Sequence, residues 1–430
     1  MDQVQEKRYS EQFLKDEIRR TNPDYVVYAP RCNTSASDHG NEHFHVFRAK
    51  DDHLCALWTM SYFEGSFTQR PMFSKSYNGG LTWTDPVCLL KDPIDPQTGK
   101  NMGSWATAAI SKSGRIYVIY SKHIGKSPSH EQGLLYVLYS DDAGETWSDE
   151  APLQNIPRSK FDPSDASEAP NGLPWQRAIR LKNDTVLLGI TRNKLHDGVP
   201  PSPHPGIYME HPCACEFIRF DNIDDDPEPL DLKVTFLAFS EDWLSAPLPG
   251  HPECRSGEEP SFCELPDGRL MCVFRTGEGH IWYSISADSG ITWTQAEMLR
   301  YTDNGPGIEH PLSPCPFFPV SDKGEFVLFA HCSDGYNGTD RPRSDYNWRN
   351  PVYIMKGEFR PDAHQPVWFS DPVEFMNNGD VSISRKDLAM YSDLTIEDGE
   401  PVFWYPDRKF FLLGRRLTKD LLESMSVPAQ

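Results

Sequence analysis

The pattern Ser-x-Asp/Asn-x-Gly-x-Thr-Trp occurs three times in the chain, at 76–83, 140–147 and 286–293. The copies start 64 and 146 residues apart, close to one and two units of about 70 residues. Each copy follows a strand-like run; Asp or Asn with Gly favours a tight turn, and Trp can then pack back onto the sheet. The pattern predicts repeated hairpin closures with a structural and not a chemical role.

A second, weaker repeat has the same period. Six hairpins consist of an apolar run, a turn that contains Asp, Asn or Gly, and another apolar run, with turns at 51–52, 113–114, 183–184, 267–268, 323–324 and 398–399. Six units of about 69 residues account for nearly the whole chain, and four strands with their loops fit that length. We therefore predict an all-β fold, a single six-bladed β-propeller of four-stranded antiparallel blades over residues 1–430. Residues 1–22 are expected to form a helical extension and 415–430 a tail with a short helix.

The charge composition argues against two classes of binding partner. The chain has 42 basic and 63 acidic residues, a net charge of −21, which argues against nucleic-acid or anionic-membrane partners because both require basic surfaces.

No run approaches 18 apolar residues, so no transmembrane helix is expected. Ten cysteines in a chain of this length do not require a disulfide framework, which favours reduced thiols and a cytoplasmic location; a trimmed export signal would instead mean a secreted or periplasmic one. No metal or phosphate motif appears, and no cofactor is expected. Oligomeric state is left open.

Propeller geometry predicts where the chemistry lies. In each blade, residues just before the innermost strand and just after the second strand converge at one end of the central channel. Three arginines fall at such positions, Arg177, Arg192 and Arg275, and Arg349 and Arg70 can reach the centre from further out in their blades. A guanidinium suits a carboxylate well, so an anionic ligand is predicted there.

Three stretches resemble the sialidase superfamily of six-bladed propellers, which also carries the repeated motif known as the Asp box. They are Glu259-Pro260-Ser261 with the following 264–275, then Arg349-Asn350-Pro351-Val352-Tyr353, then Met390-Tyr391-Ser392-Asp393-Leu394. The resemblance implies that Tyr391 is the nucleophile, Glu259 its base, and Arg275 and Arg349 members of a carboxylate-binding triad. A neutral phenol avoids repulsion by a substrate carboxylate, but its pKa of about 10 requires an adjacent base.

The first blade departs from this family. The strand at 41–47 lacks the expected triad arginine, and the segment 64–70 lacks the expected acid/base aspartate. Arg70 or Arg31 is a candidate for the missing arginine. Glu42, His43 and, less plausibly, Glu64 are the candidate proton donors, since a histidine near its ordinary pKa is a competent acid at neutral pH.

The resemblance implies a sialidase-like exo-glycoside hydrolase that removes a terminal acidic sugar from a glycan, without cofactor. Two alternatives stay open. One is a propeller polysaccharide lyase, or an enzyme acting on rhamnose–glucuronate linkages, with His43 as base and Tyr391 as acid. The other is a propeller that binds carbohydrate without catalysis. Released product separates the three, because hydrolysis gives a saturated sugar and elimination a new double bond.

Overall fold

The computed structural model describes residues 9–30, 38–124, 133–159, 161–162, 165, 170, 172–193, 213–248, 251–333, 349–379, 381, 383, 387–388 and 391–429. Helix α1 (Glu11–Ile18) begins at the N-cap Ser10, whose side chain accepts a hydrogen bond from the Phe13 amide. A 3₁₀ turn (Arg19–Thr21) follows, and then strand β1 (Tyr25–Tyr28).

Six antiparallel sheets follow in chain order and form the predicted six-bladed propeller. Blade 1 contains β2 (Gly40–Arg48), β3 (Leu54–Ser61), β4 (Arg70–Ser76) and β5 (Val87–Cys88). Blade 2 contains β6 (Gly103–Ile110), β7 (Ile116–Lys122), β8 (Leu134–Ser140) and β9 (Ala151–Pro152).

Blade 3 has an interrupted inner strand, β10 (Leu173–Pro174) and β11 (Ile179–Arg180), both paired with β12 (Val186–Asn193). Strands β13 (Cys213–Phe220) and β14 (Val234–Leu237) complete it, with 3₁₀ turns at Ile223–Asp225, Pro229–Asp231 and Ser240–Asp242. A separate hairpin, β15 (Ala246–Leu248) and β16 (His251–Ser256), precedes the next blade.

The remaining blades close the ring. Blade 4 contains β17 (Glu258–Glu264), β18 (Leu270–Arg275), β19 (Trp282–Ser286) and β20 (Glu297–Met298). Blade 5 contains β21 (Phe317–Ser321), β22 (Glu325–Ala330), β23 (Val352–Phe359), β24 (Val367–Phe369) and β25 (Val373–Met376). Blade 6 contains β26 (Asp393–Glu397), β27 (Glu400–Asp407) and β28 (Phe411–Arg416), and β1 pairs with β28 as its outermost strand. Helix α2 (Lys419–Ser424) follows, and no helix among the described residues is long and apolar enough to cross a membrane.

The three repeated motifs all form the same turn between the third and fourth strands of a blade. In the first, Ser76 Oγ accepts a hydrogen bond from the Gly80 amide at 2.8 Å, Asn78 Oδ1 accepts one from the Thr82 amide, and Trp83 Nε1 donates to the Gly80 carbonyl. Gly80 has φ of 87°, a conformation that suits glycine. The turns lie at the outer edge of the blades, so they stabilise the sheets and leave the channel to the inner strands.

Candidate active site

Three inner strands carry the same irregularity near their first residues. The ladders of β2, β6 and β17 each slip at a bulge, where His43, Trp105 and Glu259 have φ of 51°, 54° and 56°. Positive φ is unfavourable for residues other than glycine, and bulges redirect side chains at the ends of strands. The three bulged residues belong to blades 1, 2 and 4 and are buried at the same end of the channel, here called the upper end.

Hydrogen bonds from neighbouring blades hold these bulges. The Trp105 amide donates to Thr59 Oγ1 at 3.1 Å, and the Glu259 amide donates to Thr191 Oγ1 at 2.8 Å. In both cases the preceding blade offers a threonine hydroxyl to the bulge of the next. These contacts satisfy a buried amide that the slipped ladder leaves unpaired.

The upper end contains an aromatic cluster drawn from four blades. The His43 ring lies 4.8 Å from the Tyr391 ring, 4.9 Å from Trp175 and 5.6 Å from Trp105, measured between ring centroids. Trp175 in turn lies 5.0 Å from Tyr391 in an edge-to-face arrangement. The structure therefore brings the candidates His43 and Tyr391 into direct contact.

A lysine that the sequence analysis did not select lies next to Tyr391. Lys409 Nζ is 3.3 Å from Tyr391 Oη and 4.5 Å from the centroid of its ring. The same ammonium contacts Glu42 Oε2 at 3.1 Å and Glu64 Oε1. Burial raises the pKa of Tyr391 to about 12, while Lys409 opposes that rise by stabilising the phenolate.

Lys409 lies in the turn between β27 and β28, at the position after a second strand where geometry had predicted site residues. Asp407, at the end of β27, is fully buried and pairs with Arg408. Lys409 has φ of 48°, so the turn advances by two residues before a side chain reaches the channel. The positional rule could have found Lys409 only with knowledge of that turn.

Glu259 forms an ion pair with Arg275, whose Nη1 is 2.7 Å from Glu259 Oε1. The other edge of the Arg275 guanidinium, Nε and Nη2, donates to Glu258 Oε2. Burial raises the pKa of Glu259 to about 8, Arg275 acts in the opposite direction, and the negative charge of Glu258 adds to the rise. Glu259 thus changes protonation near neutral pH, which suits a proton-transfer group.

Arg349 reaches the same site from the segment before β23 and is 3% exposed. Its Nη2 donates to the Leu312 carbonyl at 2.6 Å, and Nη1 lies 3.7 Å from Asp387 Oδ2. Its positive charge acts on both Tyr391 and Glu259, lowering the pKa of each. The structure therefore places Arg349 beside both residues of the predicted catalytic pair.

Two stacked histidines support the loop that positions Arg349. His310 Nε2 donates to the Ser313 carbonyl, which leaves Nδ1 to accept a hydrogen bond from the His331 amide at 3.2 Å. His331 Nδ1 donates to the Pro351 carbonyl, and Nε2 accepts from Ser313 Oγ. These partners fit neutral rings, and burial lowers the pKa of His310 to about 3.

Two predicted arginines lie elsewhere. Arg192 is fully buried, and its guanidinium pairs with Glu216 and Asp162 inside blade 3 and not with the Tyr391 cluster in the described interactions. Arg177 points further down the channel, where Nε donates to Asp393 Oδ2 at 3.0 Å; it does not join the Tyr391 cluster as predicted. Arg177 follows Trp175 by two residues, in the segment between β10 and β11.

Arg70 stays within its own blade in the hydrogen bonds described for it. It donates to the Thr68 carbonyl at 3.2 Å and contacts Met60 Sδ at 3.3 Å. It also acts electrostatically on Cys88 of the outermost strand. Arg31, the other candidate, is outside the described residues, so the source of the missing arginine stays a prediction.

The site does not have the excess of positive charge that the arginine pattern had suggested, because three cations face five carboxyls. Arg275 faces Glu258 and Glu259, Arg349 faces Asp387, and Lys409 faces Glu42 and Glu64. Guanidinium and ammonium groups carry several N–H donors each, which is how Arg275 and Lys409 each face two carboxyls.

No protein-family model matches the sequence, and no curated protein matches it either. Solved structures do match. A Ruminococcus gnavus intramolecular trans-sialidase has a TM-score of 0.58 and 14% identity, covering 93% of this chain and 98% of that one. The leech intramolecular trans-sialidase has a TM-score of 0.60 and 14% identity, covering 97% and 73%. A Dyadobacter fermentans protein of unknown function has a TM-score of 0.58 and 16% identity, covering 92% and 97%.

At such identities the likeness concerns the backbone fold, and it extends over nearly all of this chain. The chain has the sialidase-like six-bladed β-propeller fold.

Proposed function

We propose that the protein is an exo-glycoside hydrolase that removes a terminal acidic sugar from a glycan, with Tyr391 as the nucleophile. The observation that carries this proposal is the contact of the buried Tyr391 phenol with Lys409 while Glu259 and Arg349 act on it electrostatically. A buried tyrosine with only a structural role does not need a cation at its hydroxyl and a titratable carboxyl that acts on it electrostatically.

In the proposed reaction, Tyr391 Oη attacks the anomeric carbon and the phenol proton passes to Glu259. The bond from the anomeric carbon to the leaving oxygen breaks, and that oxygen takes a proton from an acid. Water then attacks the same carbon and gives a proton to the conjugate base of that acid, which restores the acid. Tyr391 leaves as phenolate and recovers a proton from Glu259. Lys409 and Arg349 stabilise the negative charge that develops on the phenol oxygen.

The substrate carboxylate is proposed to bind between Arg349 and Arg275. Glu258 holds one edge of the Arg275 guanidinium, and Glu259 holds Nη1. A proton that moves from Tyr391 to Glu259 neutralises the carboxylate at Nη1, so the charge of Arg275 then acts more strongly on the substrate. Proton transfer and substrate binding would in this way support each other.

The proton donor to the leaving group is proposed to be His43, whose ring contacts Tyr391. Glu42 and Glu64 are the alternatives. Both contact Lys409, which favours their ionised forms and makes them weaker donors than a histidine.

Elimination is the second candidate, and one observation favours it: the direct contact of the His43 and Tyr391 rings, which would place a base and an acid on one substrate. The aromatic walls formed by Trp105 and Trp175 would suit a sugar ring in either reaction.

The test is a panel of 4-methylumbelliferyl glycosides of N-acetylneuraminic acid, Kdo and glucuronic acid, together with uronate-capped oligosaccharides. The product should be a saturated sugar, and Tyr391→Phe should reduce turnover by about 10³-fold or more while ligand binding survives. Tyr139→Phe is a matched control, because that hydroxyl contacts Glu228 at the edge of blade 2. An unsaturated product would establish elimination, and near wild-type turnover by Tyr391→Phe would exclude the nucleophile.

A further inference from the structure

A second cavity occupies the lower half of the central channel, toward the hairpin turns that join first and second strands. Its volume is about 460 Å³, and blades 3 to 6 contribute its walls. Phe262, Phe318, Leu394 and Ile396 form an apolar surface, and Arg177 and Asp393 lie among the lining residues. This volume is in the range of pockets that hold small organic ligands.

An ion pair lies between this cavity and the site at the upper end. Arg177 comes from blade 3 and Asp393 from blade 6, which are opposite each other in the ring, and their side chains meet with Nε 3.0 Å from Oδ2. His45 Nδ1 lies 3.7 Å from the same Asp393 oxygen. Each of these residues is two positions beyond a member of the aromatic cluster, Trp175, Tyr391 or His43. The ion pair therefore forms a polar layer directly below that cluster.

Asp393 orients the Arg177 guanidinium without occupying all of it. Only Nε is engaged; among the described residues no hydrogen bond is made by the two terminal nitrogens, and 30% of the side chain is exposed. Asp393 is almost fully buried. Burial raises its pKa, but Arg177 and His45 outweigh that effect and keep the pKa below its ordinary value. The aspartate stays ionised and holds the arginine in place.

The other charged groups of the cavity are committed elsewhere. Arg180 makes a bidentate pair with Asp224, and Lys182 Nζ donates to the carbonyls of Leu265 and Pro266. Glu264 accepts a hydrogen bond from the Lys182 amide. Asp322 is in the turn between β21 and β22, at the rim of the cavity.

We propose that the lower cavity is a second binding site, for a small organic carboxylate with an apolar body. The terminal nitrogens of Arg177 would form the fork that pairs with both carboxylate oxygens, and the phenylalanine and aliphatic walls would cover the rest of the ligand. The site is independent of the proposed hydrolysis, because neither Arg177 nor the walls of the lower cavity contact Tyr391 or Glu259 in the described interactions.

The experiment is a ¹⁹F NMR titration of the full chain with 4-fluorobenzoate, with 4-fluorobenzyl alcohol as the uncharged comparison. Saturable binding of the acid, roughly tenfold or more tighter than of the alcohol, is expected. Arg177→Met should weaken binding about tenfold, and Arg349→Met, which alters the upper site, should leave it unchanged. Binding that is lost in Arg349→Met and kept in Arg177→Met would overturn the proposal, as would the lack of saturable binding.

Arg177→Met leaves the Asp393 carboxylate buried beside His45 alone, so the fold must be checked by thermal unfolding. The double variant Arg177→Met/Asp393→Asn removes that unpaired charge and should give the same loss of binding. A measurement on the unaltered protein is independent of both. Magnetisation transfer from the bound ligand should reach the methyl groups of Leu394 and Ile396; transfer only to Trp175 and Tyr391 would place the ligand in the upper site and refute the proposal.

Discussion

Blades 1 and 4 have the same backbone feature, a bulge in the inner strand, but the residues at the two bulges differ in their chemistry. Both inner strands bulge near their first residues and turn one side chain into the channel, His43 in blade 1 and Glu259 in blade 4. In blade 4 the cation that pairs with the bulged residue comes from the next strand of the same blade, Arg275. In blade 1 the neighbouring cation, Lys409, comes from the last turn of blade 6.

The difference shows which side chains of a repeated blade can vary while its backbone stays the same. A bulge fixes where a side chain enters the site, whereas the identity of that side chain and the source of its partner are left open. In blade 4 the glutamate and its arginine come from one blade. In blade 1 the cation near the bulge comes from blade 6, because ring closure places blade 6 next to blade 1.

The largest effect is expected for the bulged residue of blade 4. Glu259→Gln should lower kcat/KM by about 10²–10⁴-fold, the usual contribution of a general base. In the unaltered protein kcat/KM should rise with pH through about 8, because Glu259 accepts a proton only when ionised and its pKa is about 8. Glu297→Gln, at the outer edge of the same blade, is the control. Equal pH profiles for Glu259→Gln and the parent protein would contradict the assignment.

Glu259 should also make the free energy of unfolding depend on pH. Its pKa in the folded chain lies above the ordinary value near 4.5, so the folded state binds a proton that the unfolded state has released. The free energy of unfolding should therefore fall as pH rises from about 4.5 to about 8, and Glu259→Gln should remove that part of the slope. Chemical denaturation at several pH values provides the measurement.

The effect on turnover of replacing His43, the bulged residue of blade 1, should depend on the leaving group of the substrate. His43→Phe keeps an aromatic ring against Trp105, Trp175 and Tyr391, but it removes the proposed acid. Turnover of an alkyl glycoside should fall about 10²-fold, while an aryl glycoside with an acidic leaving group should be nearly unaffected. Parallel assays of Glu42→Gln decide between the two donors; the same leaving-group dependence in Glu42→Gln and none in His43→Phe would transfer the role to Glu42.

Replacing Lys409 should have a smaller effect on kcat/KM. Lys409→Met removes the ammonium beside Tyr391 Oη, so the pKa of the phenol should rise and kcat/KM should fall about tenfold or more. The buried Glu42 would also lose its contact with this ammonium, which costs stability. Lys409→Met/Glu42→Gln should recover the melting temperature but not the rate. Recovery of both would show that Lys409 acts only on folding.

The threonines that hold the bulges should give the smallest effects. Thr191→Val removes the acceptor for the Glu259 amide and Thr59→Val the acceptor for the Trp105 amide. Each should cost about 1–3 kcal/mol of unfolding free energy, because a buried donor is left without its partner. Only Thr191→Val should also shift the pH profile, since it supports the residue that titrates. An equal shift in both variants would argue against a specific role for the blade 4 bulge.

Much of this architecture is visible in the sequence because it repeats. Three copies of one turn motif and six hairpins of similar spacing predict six blades. Tyr391, Glu259, Arg275 and Arg349 were found through three short stretches whose order matches the blades. Arg177 and Arg192 were misplaced because the positional rule cannot tell whether a side chain faces the upper pocket, the lower channel or the inside of a blade.

The sequence by itself determined the period, the sheet-forming pattern and the set of ionisable residues near the axis, since these depend on local turn chemistry and alternation along each strand. Only the tertiary structure decided which charges meet. Lys409 reaches Tyr391 across a turn with an unusual backbone angle, and Arg192 is held by Glu216 and Asp162 within blade 3. The physical reason is that ion pairs form between residues distant in sequence, so their partners are set by the closure of the ring and not by any local pattern.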